Sequence, residues 1–259
     1  MLLNSENYFS KEADLEYMSV SQWKLFHECE SKALATILGQ EDSTYKSAYL
    51  EGHMFEDIVT GKKELFMAKH PEIISSRGAT AGQIKAEFKK VIEAAEKFNA
   101  QEFFTNIIKR CEKQVILTGE IEGVKIKCAL DLFDKETNSI YDIKCMKDFK
   151  EQWSPEDKMY IPWYYAYRYV LQLGVYKEIA QQNFGKIGTV GLLAATKEEF
   201  PDLNALCISH ELLDMELERF KLNLRRYDNI KKGLIKPISC GSCDYCKKNK
   251  VINRFEEVK

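Results

Sequence analysis

The chain has 259 residues, of which 45% are hydrophobic and 30% charged, and its formal net charge is −2. This length can bury one large core or two modest ones. No run approaches 18 apolar residues, and the first residues lack a basic flank before an apolar stretch. We therefore expect neither a membrane span nor a signal peptide, and a cytoplasmic location. The charge balance excludes a global attraction to polyanions, so any nucleic acid would have to meet local basic patches.

The first part of the chain predicts helices. Residues 1–18 are polar and acidic and predict an irregular lead-in, and Ser19-Val-Ser-Gln22 resembles a capping box that opens a helix. Further helices are expected over 45–67, 83–99 and 101–111, where apolar residues recur every three or four positions.

On the helix expected over 45–67, His53 and Glu56 lie three residues apart and therefore on one side. A nitrogen and an oxygen placed in this way can both contribute to a metal site. Taken alone, such a pair is more often a surface histidine beside an acid.

Three strands follow, over 114–121, 124–133 and 139–146. Asp131 lies on the face of its strand opposite the apolar residues, and Asp142 and Lys144 share one face of the return strand. Two carboxylates and an ammonium on adjacent strands suit a hard divalent cation and a phosphate. The alternative is a solvated hairpin face.

The last third predicts a long helix over 159–184, strands over 186–196 and 206–209, and a helix over 211–232. Gln172 and Tyr176 are four apart on one face of the long helix, although an aromatic stripe at this spacing more often packs in a core. If the chain binds a nucleic acid, basic residues on the last helix are candidates for contacts with its phosphates. They are Lys221, Arg225, Arg226, Lys231 and Lys232.

Eight cysteines without a signal peptide indicate free or metal-bound thiols rather than disulfides. Three of them form the run Cys240-Gly-Ser-Cys243-Asp-Tyr-Cys246, whose thiols can converge on one soft metal centre. A complete site needs a fourth ligand.

The order of four motifs carries a resemblance to a known family. Gly52-His53-Met-Phe-Glu56, Asp131, Asp142-Ile-Lys144 and Gln172-Leu-Gly-Val-Tyr176 resemble the PD-(D/E)XK nuclease superfamily, within it the RecB-like and RecE-like branch that includes many phage exonucleases. The similarity runs from about Ser19 to Cys246, with Leu130 in the place of the proline.

That resemblance implies an α/β (α+β) fold. Its restriction-endonuclease-like αβββαβ core has a small mixed sheet flanked by helices and an N-terminal helical elaboration. We expect one domain over 19–259, made of a helical region (19–113), a catalytic core (114–232) and a cysteine-bearing tail (233–259).

The function that the resemblance implies is a Mg²⁺- or Mn²⁺-dependent DNA exonuclease of recombination or phage replication, which hydrolyses phosphodiester bonds through a metal-activated water. Asp131, Asp142 and the Ile143 carbonyl would hold the metal, with His53 and Glu56 beside it. Lys144, Gln172 and Tyr176 would complete the catalytic group. DNA is the expected partner, and the resemblance also allows a single-strand annealing recombination protein and a homo-oligomer.

Iron–sulfur members of this branch close a [4Fe–4S] cluster with one N-terminal and three C-terminal cysteines. Cys29 matches the first of these, so the resemblance implies a cluster on Cys29, Cys240, Cys243 and Cys246. The final gap is shorter here than is common in the family, and zinc or metal-free thiols remain alternatives.

Two other functions compete with a nuclease. A chain that kept the fold without catalysis would serve as a DNA-binding or assembly module, but the intact set of Asp131, Asp142 and Lys144 argues against it. An unrelated metal enzyme acting on a small phosphorylated substrate is the other, and the sequence has no Gly-rich phosphate-binding loop to support it.

Overall fold

A computed structural model describes residues 2–41, 46–252 and 255 of the chain. The strands are β1 (Glu112–Ile121), β2 (Val124–Asp134), β3 (Ser139–Met146), β4 (Gln152–Ser154), β5 (Met159–Ile161), β6 (Val190–Thr196) and β7 (Leu203–Cys207). The helices are α1 (Lys11–Glu16), α2 (Val20–Glu28), α3 (Glu30–Ile37), α4 (Lys46–Val59), α5 (Lys63–Lys69), α6 (Ala86–Asn99), α7 (Glu102–Arg110), α8 (Trp163–Ala166), α9 (Tyr169–Phe184), α10 (His210–Lys231) and α11 (Asp244–Lys248). Tyr45, predicted to open the second long helix, lies outside the described residues. Within that part of the chain, no helix has both the length and the apolar character needed to cross a bilayer.

Residues group into two compact units, each built from separate stretches of sequence. Over their described residues, the terminal unit comprises Met1–Thr44, Thr118–Cys128 and Glu218–Lys259, and the sheet unit comprises Tyr45–Leu117 and Ala129–Leu217. The single domain expected over 19–259 stays a prediction.

Five strands form a mixed sheet in the order β1-β2-β3-β6-β7, and β4 and β5 form a separate hairpin. β2 pairs with β3 in antiparallel fashion, β3 with β6 in parallel and β6 with β7 in antiparallel fashion. The parallel step needs a crossover, which α8 and α9 provide. A mixed sheet flanked by helices is the predicted architecture, and the fold class is confirmed.

The core of the sheet unit decides which face of β3 is available for chemistry. Ile143 and Tyr141 are buried in an apolar cluster that includes Phe55, Phe98 and Leu193. Because side chains alternate along a strand, Asp142 and Lys144 must project from the opposite face. The alternation predicted from the sequence is thus fixed by hydrophobic burial.

Helix α9 lies against the start of α10 at Gly174. A Cβ atom at this position would come within 2.5 Å of the Leu213 carbonyl oxygen. A larger residue would push the two helices apart, so Gly174 fixes the position of the helix that carries Gln172.

The long helix expected over 159–184 is interrupted, and this prediction was wrong at its start. Residues Met159–Ile161 pair with Gln152–Ser154 as a hairpin, and Pro162 precedes the short helix α8. Arg168 then adopts a left-handed backbone conformation with φ of 56°, which breaks the helical path before α9. Periodicity alone did not reveal either interruption.

The segment before Ser19, expected to be irregular, contains the short helix α1. Ser10 caps it by accepting a hydrogen bond from the Ala13 N–H. The predicted cap at Ser19 is confirmed, since its side chain accepts from the Gln22 N–H.

Two buried lysines hold this N-terminal segment within the terminal unit. Lys127 donates to the Asp14 carboxylate at 2.7 Å, and its side chain is only 2% exposed. Lys231 donates to the Tyr17 carbonyl at 2.6 Å, and to the Asp14 carbonyl and the Gln22 amide oxygen at 3.1 Å each. Burial lowers the pKa of Lys231 to about 8. Both ammonium groups therefore tie distant parts of the sequence to residues 14–22.

We predict that Lys231→Met destabilises the protein by about 2 to 4 kcal/mol, because it leaves buried oxygens without a donor. Lys236→Met is the control, since Lys236 is exposed and forms no ion pair with another described residue. That control should cost less than about 1 kcal/mol. Denaturant melts of the two variants make the comparison, and equal midpoints would show that Lys231 does not support the fold.

Candidate active site and cysteine cluster

The candidate active site forms around Lys144 on β3. Its Nζ atom lies 2.6 Å from Asp142 Oδ2 and 3.9 Å from Asp131 Oδ2. The Asp131 carboxylate also accepts a hydrogen bond from the Ile143 N–H at 2.9 Å, and Lys144 Nζ donates to the Ile143 carbonyl at 3.2 Å. The structure therefore brings together the two acids, the lysine and the backbone carbonyl that the sequence had singled out.

Helix α9 contributes to the same group. Gln172 Nε2 donates to Asp142 Oδ1 at 3.0 Å, which orients the carboxylate for its contact with Lys144. Tyr176 lies one turn further along the helix, half-buried on the same side.

Helix α4 brings His53 and Glu56 to this region. The Glu56 carboxylate accepts a hydrogen bond from the Gln114 amide. Glu56 is close enough to Asp131 for its charge to raise the pKa of that acid, and Lys144 is close enough to His53 to lower the pKa of the imidazole. The predicted pair is thus near the acids of the hairpin.

Burial and crowding of like charges dominate the electrostatics. Burial, followed by the charges of Asp142 and Glu56, holds the pKa of Asp131 well above its usual range. Burial also raises the pKa of Glu56 and lowers the pKa of His53. For Lys144, burial alone would lower the pKa, but the Asp142 and Asp131 carboxylates outweigh it and the pKa is raised. At neutral pH the lysine is therefore a cation and the histidine a neutral imidazole.

The donor set fits a divalent cation. With all three acids ionised, Asp131, Asp142 and Glu56 carry a charge of −3 against +1 on Lys144, which leaves −2. Carboxylate and carbonyl oxygens are the ligands that Mg²⁺ and Mn²⁺ prefer, and His53 could add a neutral imidazole nitrogen. A bound cation would also relieve the repulsion that raises the pKa of Asp131.

Two residues of this site were not among the predicted ones. Gln114 adopts a left-handed conformation with φ of 56° at the start of β1, from where it reaches Glu56. The Tyr169 ring lies 5.3 Å from Lys144 Nζ, and its hydroxyl donates to Met146 Sδ at 3.3 Å. An unusual backbone angle and a helix that restarts after Arg168 leave no clear signal in the sequence.

Four cysteines converge within the terminal unit, as the sequence resemblance implied. The sulfur atoms of Cys29, Cys240, Cys243 and Cys246 all lie within 4.8 Å of one another. Cys29 Sγ is 3.5 Å from Cys246 Sγ, and Cys240 Sγ is 3.8 Å from Cys246 Sγ. The Cys243 N–H donates to Cys240 Sγ at 3.4 Å, and the pKa of Cys240 is lowered to about 5, chiefly by this bond. These thiols could hold a metal.

The five basic residues proposed for DNA contact differ in accessibility. Lys231 is buried and bound to three protein oxygens, and Arg226 forms two hydrogen bonds with Glu30 at 2.7 and 2.8 Å. Lys231 cannot reach a phosphate without leaving these partners, and Arg226 already has Nε and one terminal nitrogen bound to Glu30. Arg225 is 70% exposed beside Glu122, Lys221 pairs with Glu218 on α10, and Lys232, just after the end of α10, pairs with Asp228.

Comparison with known proteins identifies the family. The PDDEXK-like domain of unknown function (DUF3799) matches residues 19–249. The crystal structure of a protein from Eubacterium rectale, provisionally named an exonuclease, aligns with a TM-score of 0.90 and 30% identity, covering 99% of this chain and 97% of that chain. A structure of SSO0001 aligns at 13% identity over 74% of this chain and 81% of that chain, and its TM-score of 0.29 carries no weight. No curated protein sequence gave a significant match. The chain belongs to the PDDEXK-like DUF3799 family, within the PD-(D/E)XK nuclease superfamily.

Proposed function

We propose that this protein is a divalent-metal-dependent deoxyribonuclease. The observation that carries the proposal is the convergence of Asp131 and Asp142 on Lys144, with the Lys144 ammonium 2.6 Å from one carboxylate and 3.9 Å from the other. Family membership and the likeness to a protein provisionally named an exonuclease support the same activity.

Asp131, Asp142 and the Ile143 carbonyl would hold Mg²⁺ or Mn²⁺, with Glu56 and His53 at its side. When bound, such a cation supplies charge that polarises a phosphodiester and lowers the pKa of water. Lys144 stays protonated beside the carboxylates, so its role is to orient a phosphate oxygen and to offset negative charge that develops on it.

Gln172 and Tyr176 would position other groups of the site. The Gln172 amide fixes one oxygen of Asp142 and leaves the other to Lys144, so the acid keeps one orientation. Tyr176 lies one helical turn after Gln172, and we propose that it contacts the phosphate of the bound DNA.

We extend the proposal to the biological role that the sequence resemblance implies. The protein would be an exonuclease of recombination or phage replication in the cytoplasm, with a single-strand annealing protein as its partner and a homo-oligomer as its assembly.

For the cysteine cluster we propose a single metal ion, and the sulfur spacing favours zinc over [4Fe–4S]. Zn–S bonds of about 2.3 Å in a tetrahedron place the sulfurs roughly 3.8 Å apart, close to the two distances observed. An iron–sulfur cube separates its cysteine sulfurs more widely, because each cysteine binds a different iron. This reverses the preference that followed from the resemblance alone.

For DNA phosphates we keep Arg225, Lys221 and Lys232 as proposed contacts and leave out Lys231 and Arg226. Each phosphate contact on duplex DNA contributes about 0.9 to the salt slope of the binding constant. We predict that Arg225→Ala lowers this slope by about that amount, as measured by titration at several salt concentrations. An unchanged slope would remove Arg225 from the interface.

We predict that the purified protein degrades end-labelled linear DNA in the presence of Mg²⁺ and not in EDTA, because the acids need a cation before they tolerate a phosphate. Linear duplex, circular duplex and single-stranded DNA should be compared, since resistance of the circle supports an exonuclease. Binding of DNA without cleavage in Mg²⁺ or Mn²⁺ would favour the inactive DNA-binding module instead.

We predict that Asp142→Asn loses both Mn²⁺ binding and cleavage, since it removes a ligand charge while keeping the acceptor for Gln172. Lys144→Ala should keep Mn²⁺ binding and lose on the order of 10² to 10⁴ in cleavage rate. Mn²⁺ titration followed by spin resonance separates the two effects, with Asp148→Asn as a control acid outside the site. Loss of the metal in Lys144→Ala would make the lysine structural.

We predict about one zinc ion per chain at the cysteine cluster, measured by elemental analysis of protein purified anaerobically. Cys243→Ser should lower the zinc content and the melting temperature, because a structural metal contributes directly to folding. The exposed Cys207→Ser is the control. A brown preparation that contains iron would restore the iron–sulfur assignment.

A further inference from the structure

The hairpin formed by β4 and β5 carries large apolar side chains on the protein surface. Trp153 is 54% exposed, Met159 56% and Tyr160 62%. Aromatic groups of this size contribute most when they are covered, so their exposure in one small hairpin points to a ligand.

The hairpin holds these rings in a fixed arrangement. Trp153 and Tyr160 are direct cross-strand partners, with ring centroids 5.5 Å apart in an edge-to-face pair. Ser154 closes the turn, donating to the Asp157 carboxylate at 2.7 Å and accepting from the Asp157 N–H at 3.1 Å. Little conformational entropy would be lost when such rings bind a partner.

The segment after the hairpin leads to the candidate active site and carries further aromatic residues. Helix α8 contacts β4, and its Trp163 lies 6.0 Å from Tyr169, the ring beside the Lys144 ammonium. Tyr167, which is 42% exposed, stacks on the same Tyr169 ring at 5.9 Å. Aromatic rings therefore continue from Lys144 to the surface.

The net charge around the hairpin does not by itself attract a polyanion. Residues 147–168 contain four basic and four acidic residues, so their formal charges cancel. Lys147, Lys150 and Lys158 are nevertheless exposed, and none of them forms an ion pair with another described residue. Aromatic faces interleaved with available lysines fit a ligand that has both flat rings and phosphates.

We propose that the β4–β5 hairpin binds unpaired bases of a single-stranded DNA segment by stacking on Trp153 and Tyr160. Bases within a duplex are already stacked on each other, so only a single-stranded end or overhang offers free faces to these rings. The inference rests on the proposed nuclease function and narrows its substrate to DNA with a single-stranded segment.

The test uses the full chain with Asp142→Asn, so that DNA is not cut, and a fluorescein-labelled thymidine oligonucleotide of about 20 residues. Stacking is worth about 1–3 kcal/mol per base, so adding Trp153→Ala and Tyr160→Ala should weaken binding at least tenfold, with an unchanged salt slope. Trp153→Phe should retain most of the affinity. Phe200→Ala, at an 82% exposed aromatic elsewhere in the sheet unit, should bind like the parent.

Tryptophan fluorescence gives a second readout. Trp23 and Trp163 are buried, at 1% and 3% exposure, so acrylamide quenching in the parent reports mainly on Trp153. The oligonucleotide should protect this signal.

Parent-like affinity in the double alanine variant, or undiminished quenching in the presence of the oligonucleotide, would overturn the hairpin proposal even if the wild type cleaves DNA. If the double alanine variant changed from an oligomer to a monomer and kept its affinity for the oligonucleotide, the hairpin would instead belong to a protein interface. If the wild type neither binds nor cleaves any DNA, the proposed function fails and this inference fails with it.

Discussion

The Lys144 ammonium lies between two carboxylates on a part of the sheet that is nearly closed to solvent, and the candidate site depends on this ion-pair group. The Asp142 side chain is 2% exposed and that of Lys144 is 19% exposed. Buried charges are tolerated only when they are paired and hydrogen-bonded, and here the Gln172 amide and the Ile143 peptide supply the remaining bonds. The surplus of negative charge explains why the same residues suit a divalent cation. Folding without a cation favours neutralised charges in this cluster, whereas metal binding needs the surplus of negative charge.

The sequence predicted the centre of this site better than its edges. Asp131, Asp142 and Lys144 lie on strands whose apolar residues alternate, so burial of one face fixes the direction of the other. Tyr169 begins helix α9 and belongs to an aromatic stripe, a pattern that more often packs in a core, so no sequence pattern placed its ring beside Lys144. Gln114 reaches Glu56 through a backbone angle that its residue type does not indicate.

Lys231 illustrates a different limit. Helical spacing groups it with basic neighbours on α10, but three oxygens from residues 14–22 surround its ammonium. Contacts between residues more than 200 positions apart do not appear in a local pattern. Conversely, the convergence of Cys29 with the three C-terminal cysteines was expected from the resemblance alone.

Anomalous diffraction from crystals soaked in Mn²⁺ would show whether Asp131 and Asp142 hold one cation together. We expect a manganese peak within bonding distance of both the Asp131 and Asp142 carboxylates, with the Lys144 ammonium beside it and not among its ligands. The absence of a peak between these two acids at saturating Mn²⁺ would show that they do not form a metal site.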